Sequence, residues 1–408
     1  MKYQITKTHL LLGGALFLFS LSLHGKAPSL ADPNYTGPAA PTLALPDLAL
    51  PSTKPFVHPG LLQSQSDIDF IRAKIKAGEE PWISALQAMK ASPYAQLDYR
   101  IRIVPVIIPA SNGSGYVMMD SSAAYAHALL WCITGEKAHA DKAIAILNAN
   151  STTLQTIEVG QNNQGKLLAG FVAGKYAGAA ELLSHYRQPN GETSHWAAVD
   201  IERCKKMLTT IFYPLIENFQ PTYNGNWDAS MMASMLSIGV LCDDHLKFNR
   251  AIDYYLHGKG NGAISHYIYS TGQCQESPRD QSHVQLGLGA LAASCEIASK
   301  QGLDLYGMAD DRLALGFEYT AKYNTGHEVE PVDPNLPVSN HGRGKAMPGY
   351  ELIYQHYFIE KGHPMPFTKE MLDKNRPEGL DLIMLPAFGT LTAYRGPATK
   401  AVPRPSSK

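Results

Sequence analysis

The sequence has few cysteines and none of the short motifs that commonly mark a metal or nucleotide site. Its 408 residues include five cysteines and no Cys-x-x-Cys pair, so it predicts neither a disulfide scaffold nor a zinc cluster. Cys132, Cys242 and Cys295 lie in apolar helical runs, which is typical of buried free thiols. HExxH, GxSxG, P-loop and dinucleotide-binding motifs are absent as well. We therefore expect no bound metal and no cofactor.

The chain also lacks an excess of either charge and a β-type alternation of apolar residues. The net charge of −1 argues against a broad nucleic-acid-binding surface, although a local basic cleft for an anionic ligand remains compatible with it. No regularly spaced Val/Ile/Thr alternation is present, which argues against a β-sandwich.

Long apolar runs are missing except at the N-terminus. A positively charged start precedes the run Leu10 to Leu23, which is too short for a stable membrane span and is typical of a secretory signal. The sequence thus predicts a secreted or periplasmic protein with no membrane association after signal cleavage. The predicted divisions are a signal peptide at 1–31, an irregular Pro/Ala-rich leader at 32–56, one main folded domain at 57–395 and a disordered tail at 396–408.

Helical periodicity dominates the region from about 64 to 360. Short connections predict that neighbouring helices run antiparallel. The predicted helices cover residues 66–76, 121–134, 139–148, 167–186, 201–219, 227–242, 246–257, 262–270, 284–300 and 311–323. This series predicts an all-α fold, an (α/α) toroid of antiparallel helix pairs or a helical solenoid. The absence of a fixed-period repeat favours the toroid.

The densest group of polar residues runs from Gly272 to His283. Ser277 is predicted to cap a helix, with Pro278 at its first position and Asp280 as the capping-box acid. Arg279 and His283 are one turn apart and share a face. Either this segment is a functional site, or it is simply a capped and solvated helix start.

Three other clusters add polar and aromatic groups. One, Tyr223 to Ser230, contains Asn226 and Trp227; Asn226 could also be a simple helix cap. The others are a loop that contains His341 and Arg343 and an aromatic helix that contains Tyr354, His356 and Tyr357. The aromatic side chains of that helix could equally be core residues.

Together these clusters supply an amide, a guanidinium, an imidazole and several phenols. That set suits β-elimination from a uronic-acid polymer. Asn and Arg donors stabilise the charge that develops as the proton beside the carboxylate is removed. A His or Tyr accepts that proton, and a Tyr protonates the departing glycosidic oxygen. The implied partner is an anionic polysaccharide.

The order of several sequence stretches resembles the alginate lyase superfamily of α/α-toroid polysaccharide lyases, and most closely the group that contains polysaccharide lyase family 38. The resemblance covers about 57 to 394. The stretches that carry it are 120–135, 225–230, 272–283, 301–306, 318–324 and 354–357.

This resemblance implies elimination on alginate-like or glucuronan-like chains without a redox cofactor. It implies that Asn226 neutralises the substrate carboxylate, and that Arg279 and His283 form the site face of the later helix. Trp227 follows Asn226 where better-known alginate lyases have a His, so the role of the base shifts to His283.

No motif places the catalytic Tyr. Tyr354 and Tyr357 are the leading candidates, and Tyr223 and Tyr306 follow. The expected substrate-binding residues are Trp227, Gln273, Glu276, Asp280, Gln281, His341, Arg343 and His356.

Two other function classes remain open at this point. One is a glycoside hydrolase on the same toroid, with Glu276 or Asp280 as the acid and Asp228 as its partner, since that reaction needs two carboxylates. The other is a non-catalytic glycan-binding protein.

Overall fold

The computed structural model describes residues 54–397 and 399–400, the last two by their backbone only. The predicted signal peptide and most of the predicted leader and tail lie outside these residues. Within the described part, no helix combines the length and apolar character needed to cross a membrane.

Helices account for most of the described chain. We label those of ten or more residues α1 to α11. In chain order they are α1 Gln65–Lys76, α2 Trp82–Ala91, α3 Ser114–Thr134, α4 Lys137–Thr153, α5 Gln164–His185, α6 Ala198–Met207, α7 Gly225–Leu241, α8 His245–His257, α9 Gln281–Lys300, α10 Met308–Asn324 and α11 Pro366–Asn375.

Four helices, α3, α5, α7 and α9, pack side by side as an inner layer. Small residues allow this close approach: a Cβ on Gly170 would lie only 2.7 Å from Ser230 Oγ. The backbone N–H of Gly174 donates to Ser234 Oγ (2.9 Å), which itself donates to the Gly170 carbonyl (2.7 Å). Gly170 thus faces Ser230, and Gly174, four residues later, faces Ser234, four residues later on the other helix. The helices α5 and α7 therefore run in the same direction.

The helices α4, α8 and α10 follow the inner helices α3, α7 and α9 after short connections and pack on their outer side. This alternation is the antiparallel (α/α) pairing that the sequence predicts, and the predicted all-α toroid is confirmed. All inner helices therefore begin at one end of the ring and finish at the other.

Extended structure in the described residues consists of four two-residue strands and three isolated β-bridges. β1 (Glu79–Glu80) pairs antiparallel with β4 (Thr399–Lys400), and β2 (Val106–Ile107) pairs parallel with β3 (Thr156–Ile157). All five cysteines are free thiols, and only Cys242 among them is partly exposed. The short strands of this part of the chain form two separate two-stranded sheets.

The start of α9 differs from the prediction. Asp280, not Ser277, is the N-cap: its side chain accepts from the backbone N–H groups of Ser282 and His283. The preceding residues form turns instead of a first helical turn because Glu276 accepts hydrogen bonds from α7. The predicted role of Asp280 as a capping-box acid is therefore wrong.

Other observed helix boundaries also differ from the predicted ones. The predicted helix 201–219 is α6 followed by a wider π-helical stretch, Leu208–Phe212, and the predicted helix 262–270 shrinks to Ile264–Tyr267. The helices α2 and α11 were not predicted. The aromatic segment is helical, with Tyr350–Ile353 continuing into a π-helical stretch, Tyr354–Glu360.

Candidate active site

A buried carboxylate, Glu276, connects the N-terminal ends of α7 and α9. It accepts hydrogen bonds from Asn226 Nδ2 at 2.7 and 2.8 Å and from the Asn226 backbone N–H at 3.0 Å. Arg279 Nη1 donates to Glu276 Oε1 at 2.8 Å. Glu276 has no exposed surface, and Asn226 is 1% exposed. The structure thus brings Asn226, Glu276 and Arg279 together, although Asn226 and Glu276 are fifty residues apart.

The N-cap of α9 also holds the imidazole of His283. His283 Nδ1 lies 2.6 Å from Asp280 Oδ2, and Asp280 Oδ1 accepts from the backbone N–H of His283 at 2.8 Å. Burial alone would raise the pKa of Asp280, but the hydrogen bonds and charge of His283 and the charge of Arg279 lower it to about 2. Asp280 is therefore ionised at neutral pH, so the ring hydrogen belongs on Nδ1.

The other ring nitrogen of His283 has no hydrogen-bond partner, although it is buried. In a neutral imidazole with its hydrogen on Nδ1, Nε2 is an acceptor that can take up a proton. Buried polar atoms without a partner are rare in folded proteins. An unpartnered Nε2 beside Arg279 is thus the group best placed to act on a substrate.

The loop before α7 places aromatic side chains next to this cluster. The rings of Tyr223 and Trp227 have centroids 4.4 Å apart. Tyr223 is partly exposed, and its hydroxyl accepts a hydrogen bond from Asn163 Nδ2 at 2.9 Å. Asn163 is the residue before α5, so Tyr223 lies between the starts of two inner helices. Asn226, by contrast, does not cap α7; that position belongs to Asn224.

Two of the expected substrate-binding residues, Gln273 and Gln281, hold loops in place. Gln273 is fully buried; its Nε2 donates to the Leu336 carbonyl at 2.8 Å, and its Oε1 accepts from the Val332 N–H at 2.6 Å. Gln281 is 1% exposed and donates from Nε2 to the Ser339 carbonyl at 2.9 Å. Their polar atoms are engaged by the protein itself.

The loop that contains His341 and Arg343 packs next to the start of α9. The backbone N–H of Gln281 donates to the His341 carbonyl at 2.9 Å. Arg343 Nε donates to the Tyr323 carbonyl at 2.9 Å, and its guanidinium lies 3.9 Å from the centre of the Tyr323 ring. Arg343 therefore stabilises the C-terminal turn of α10.

The structure does not bring Tyr357 and His356 to the cluster. Tyr357 is fully buried and donates to the Tyr306 carbonyl at 2.6 Å, and the His356 ring stacks on Tyr306 at 3.9 Å. Tyr306 donates to Glu296, which lies thirteen residues beyond His283 on α9. At a rise of about 1.5 Å per residue, that is roughly 20 Å along the helix from His283.

Tyr354 belongs to the same packed segment. Its ring stacks on Phe358, with centroids 4.8 Å apart, and the Arg376 guanidinium lies 5.6 Å from the ring centre. Arg376 in turn forms an ion pair with the buried Glu351 at 2.7 Å. These contacts favour the core interpretation of the aromatic helix.

The two carboxylates required by the hydrolase hypothesis do not face a common cleft. Asp228 is 1% exposed and accepts from the Gln220 N–H and the Tyr254 hydroxyl, both at 2.5 Å. Burial raises its pKa to about 6, although both hydrogen bonds oppose the shift. Of its two possible partners, Glu276 is occupied by Asn226 and Arg279, and Asp280 is occupied by His283 and the start of α9. This arrangement does not favour a hydrolase.

Comparison with known proteins agrees with these features. The family model for alginate lyases matches residues 74–329, more than half of the chain. The chain belongs to the alginate lyase family. It is therefore an enzyme, a polysaccharide lyase, and the non-catalytic alternative is not supported. No curated protein matches this alginate lyase family member in sequence.

Solved structures of other alginate lyases share its fold. Alginate lyase A1-III from Sphingomonas species A1 has a TM-score of 0.59 at 15% identity, over 82% of this chain and 98% of the other. A variant of A1-III in complex with a tetrasaccharide gives 0.57 at 15% identity, over 83% and 98%. An alginate lyase from Bacteroides ovatus gives 0.53 at 11% identity, over 83% and 100%. At these identities the likeness establishes the α/α toroid alone.

Proposed function

We propose that this lyase cleaves a uronic-acid polysaccharide, of the alginate (polymannuronate) or glucuronan type, by β-elimination. The observation that carries the proposal is the Asp280–His283 pair, in which Nδ1 is fixed at 2.6 Å and the buried Nε2 has no partner. A base that is already oriented, next to an arginine, is what proton removal beside a carboxylate requires.

In the proposed reaction, His283 Nε2 removes the C5 proton of a uronate residue. The electrons of that C–H bond form the C4–C5 double bond, and the bond from C4 to the glycosidic oxygen breaks. The departing oxygen takes a proton, so the products are a new chain end and a 4,5-unsaturated uronate. No redox step is involved.

The guanidinium of Arg279 and the amide of Asn226 are the proposed donors to the substrate carboxylate. An amide nitrogen carries two hydrogens and a guanidinium five, so each can hold Glu276 and still donate to a second acceptor. Glu276 is a positioning residue in this scheme because it has no exposed surface and orients both donors.

Tyr223 is the phenol that we propose as the proton donor to the departing oxygen. It is partly exposed and lies three residues before Asn226, next to Trp227. Tyr354 and Tyr357 preceded it in the sequence-based ranking, but both are packed away from His283. Trp227 remains a proposed sugar-contacting side chain beside Tyr223.

The resemblance in the six sequence stretches between 120 and 357 also supports a place in the group that contains polysaccharide lyase family 38. We further propose that the catalytic domain spans 57–395 and that the protein is exported to the periplasm or beyond.

A panel of polyuronates tests the proposed reaction. Polymannuronate, polyguluronate and glucuronan are incubated separately with the enzyme, and ultraviolet absorbance and reducing ends are both recorded. A lyase forms the conjugated unsaturated uronate, so absorbance and reducing ends rise together. Reducing ends without absorbance would instead establish hydrolysis and remove the proposed role of His283.

A further inference from the structure

Three side chains that could bind a metal converge at the end of the ring opposite the candidate active site. They are His58, which precedes α1, and Glu181 and His185, which are one turn apart at the end of α5. Asp243, which follows α7, contacts His58. Asp243 lies seventeen residues beyond Asn226, which at 1.5 Å per residue is roughly 25 Å along α7. This group is therefore separate from the lyase chemistry.

The donor atoms already lie close to one another. His58 Nδ1 is 2.7 Å from Glu181 Oε1, and His185 Nε2 is 3.7 Å from Glu181 Oε2. One ligand atom from each of the three residues lies within 4.8 Å of the others. The tetrahedral ligands of a zinc ion, at about 2.0–2.2 Å from the metal, are about 3.4 Å apart. The rings of His58 and His185 stack with centroids 4.2 Å apart, so both rings would tilt to direct a nitrogen at a shared metal ion.

One buried carboxylate oxygen of Glu181 has no hydrogen-bond donor. Glu181 is 1% exposed; its Oε1 accepts from the Gly60 N–H at 3.1 Å, but its buried Oε2 has no hydrogen-bond partner. An ionised carboxylate oxygen can only accept, so it requires a donor or a positive ion. The C-terminal end of α5 adds partial negative charge at the same place. Both features favour a bound cation.

The donor types select among cations. Calcium and magnesium take oxygen ligands, whereas two imidazoles with one carboxylate suit zinc and similar transition metals. Asp243 Oδ1 lies 3.2 Å from His58 Nε2, on the far side of the ring from Glu181. That is the position of the outer carboxylate that orients a metal-bound histidine.

We propose that His58 Nδ1, Glu181 and His185 Nε2 bind one zinc-type divalent ion, with Asp243 orienting His58. Gln301, the residue after α9, also holds the 57–60 segment by donating to the Gly60 carbonyl at 2.6 Å. The ion would thus fasten the segment before α1 to the end of α5, as a stabilising site. The sequence-based expectation of no metal rested on local motifs, whereas this group joins residues 123 positions apart.

Zinc titration of the whole enzyme tests the site. Chelator-treated protein is titrated with zinc chloride by calorimetry, and its thermal midpoint is measured with and without zinc. We expect one ion per chain and a rise in the midpoint. His185→Gln, whose side chain is 30% exposed, should fold normally but bind zinc at least tenfold more weakly and lose the rise. Asp243→Asn should weaken binding about 10–100-fold.

The matched control is His363→Gln, a half-exposed histidine on another part of the surface, which should bind zinc like the wild type. Equal zinc affinity in wild type and His185→Gln would overturn the proposal, and so would the absence of binding. In either case His58 and His185 would only form ion pairs with Glu181 and would bind no metal. Loss of binding in His283→Ala but not in His185→Gln would place the ion in the active site and likewise overturn it. All readouts are independent of the proposed lyase reaction.

Discussion

His283 Nδ1 lies 2.6 Å from Asp280 Oδ2, and this contact determines which ring nitrogen remains available as a base. Asp280 also caps α9 through the backbone N–H groups of Ser282 and His283. The same carboxylate therefore sets the start of the helix and the tautomer of the imidazole. Because the two roles depend on different oxygens, mutation can separate them.

The first prediction concerns this pair. His283→Ala should lower the turnover rate about 10²–10⁴-fold by removing the base. Asp280→Asn retains a good capping residue but places an amide N–H opposite Nδ1. The ring hydrogen then moves to Nε2, and a loss of similar size is expected.

Rate and thermal midpoint should be measured together for both variants. Retention of the wild-type rate in His283→Ala on its best polyuronate would rule out His283 as the base. If the thermal midpoint of Asp280→Asn fell so far that the unfolded fraction accounted for the whole loss of rate, Asp280 would act through stability alone.

The second prediction concerns Arg279, whose side chain is 6% exposed and pairs with a fully buried Glu276. Arg279→Ala leaves that carboxylate without its cation, so we expect a loss of about 3–5 kcal/mol of stability. The rate should also fall about 10²–10³-fold. Neither sequence-based interpretation of this segment, a functional site or a solvated helix start, included this buried ion pair.

Arg279→Lys is the matched control because it retains the charge without the planar guanidinium fork. It should recover much of the stability but little of the rate. Chemical denaturation and initial rates measure the two effects. Full activity in Arg279→Lys would mean that a positive charge is sufficient at this position. The guanidinium would then not need to donate to Glu276 and to the substrate carboxylate at the same time.

Much of the fold could be predicted from the sequence because amphipathic helical spacing is local information. The start of α9 could not, since the bonds that hold Glu276 in a turn come from Asn226, fifty residues earlier. The buried position of Tyr357, away from His283, could not be predicted for a similar reason. Spacing identifies a buried aromatic residue but not which end of a neighbouring helix it contacts.

The site cluster was partly predictable. Asn226, Arg279, Asp280 and His283 stand at helix starts, and in a toroid the inner helices begin at a common end. The role of Glu276 was not predictable, because only the structure shows that its carboxylate is fully buried against Asn226 and Arg279.

The third prediction uses the raised pKa of Asp228, about 6, which results from burial. Folded Asp228 retains a proton that the unfolded chain releases near pH 4. Its contribution to stability is therefore full below about pH 4 and falls as the pH rises to about 6. Asp228→Asn removes this titration, so its thermal midpoint relative to wild type should rise between pH 4 and 6.

The rate of Asp228→Asn provides a separate readout. It should remain within a few-fold of wild type, because Asp228 faces Gln220 and Tyr254 and not His283. A loss of 10³-fold or more without unfolding would revive the hydrolase hypothesis.

The fourth prediction concerns metal removal. Asn226 and Arg279 can neutralise a substrate carboxylate without a metal, so EDTA should leave the turnover rate unchanged at temperatures well below the thermal midpoint. If His58, Glu181 and His185 bind zinc as proposed, the same EDTA treatment should lower the thermal midpoint. Loss of turnover with EDTA, reversed by calcium, would require a new explanation of how the carboxylate is neutralised.

The fifth prediction separates three tyrosines. Tyr223→Phe keeps the ring that contacts Trp227 but removes the hydroxyl that accepts from Asn163. We expect a rate loss of about 10²–10⁴-fold, typical of a missing general acid, with little change in stability. Tyr357→Phe removes a buried hydrogen bond to the Tyr306 carbonyl and should instead cost about 0.5–1.5 kcal/mol of stability at nearly normal rate. Tyr354→Phe should change neither quantity greatly. If Tyr357→Phe were slow and Tyr223→Phe had the normal rate, the general acid would instead belong to the aromatic segment Tyr354–Glu360. That segment would then have to approach His283 in the substrate complex.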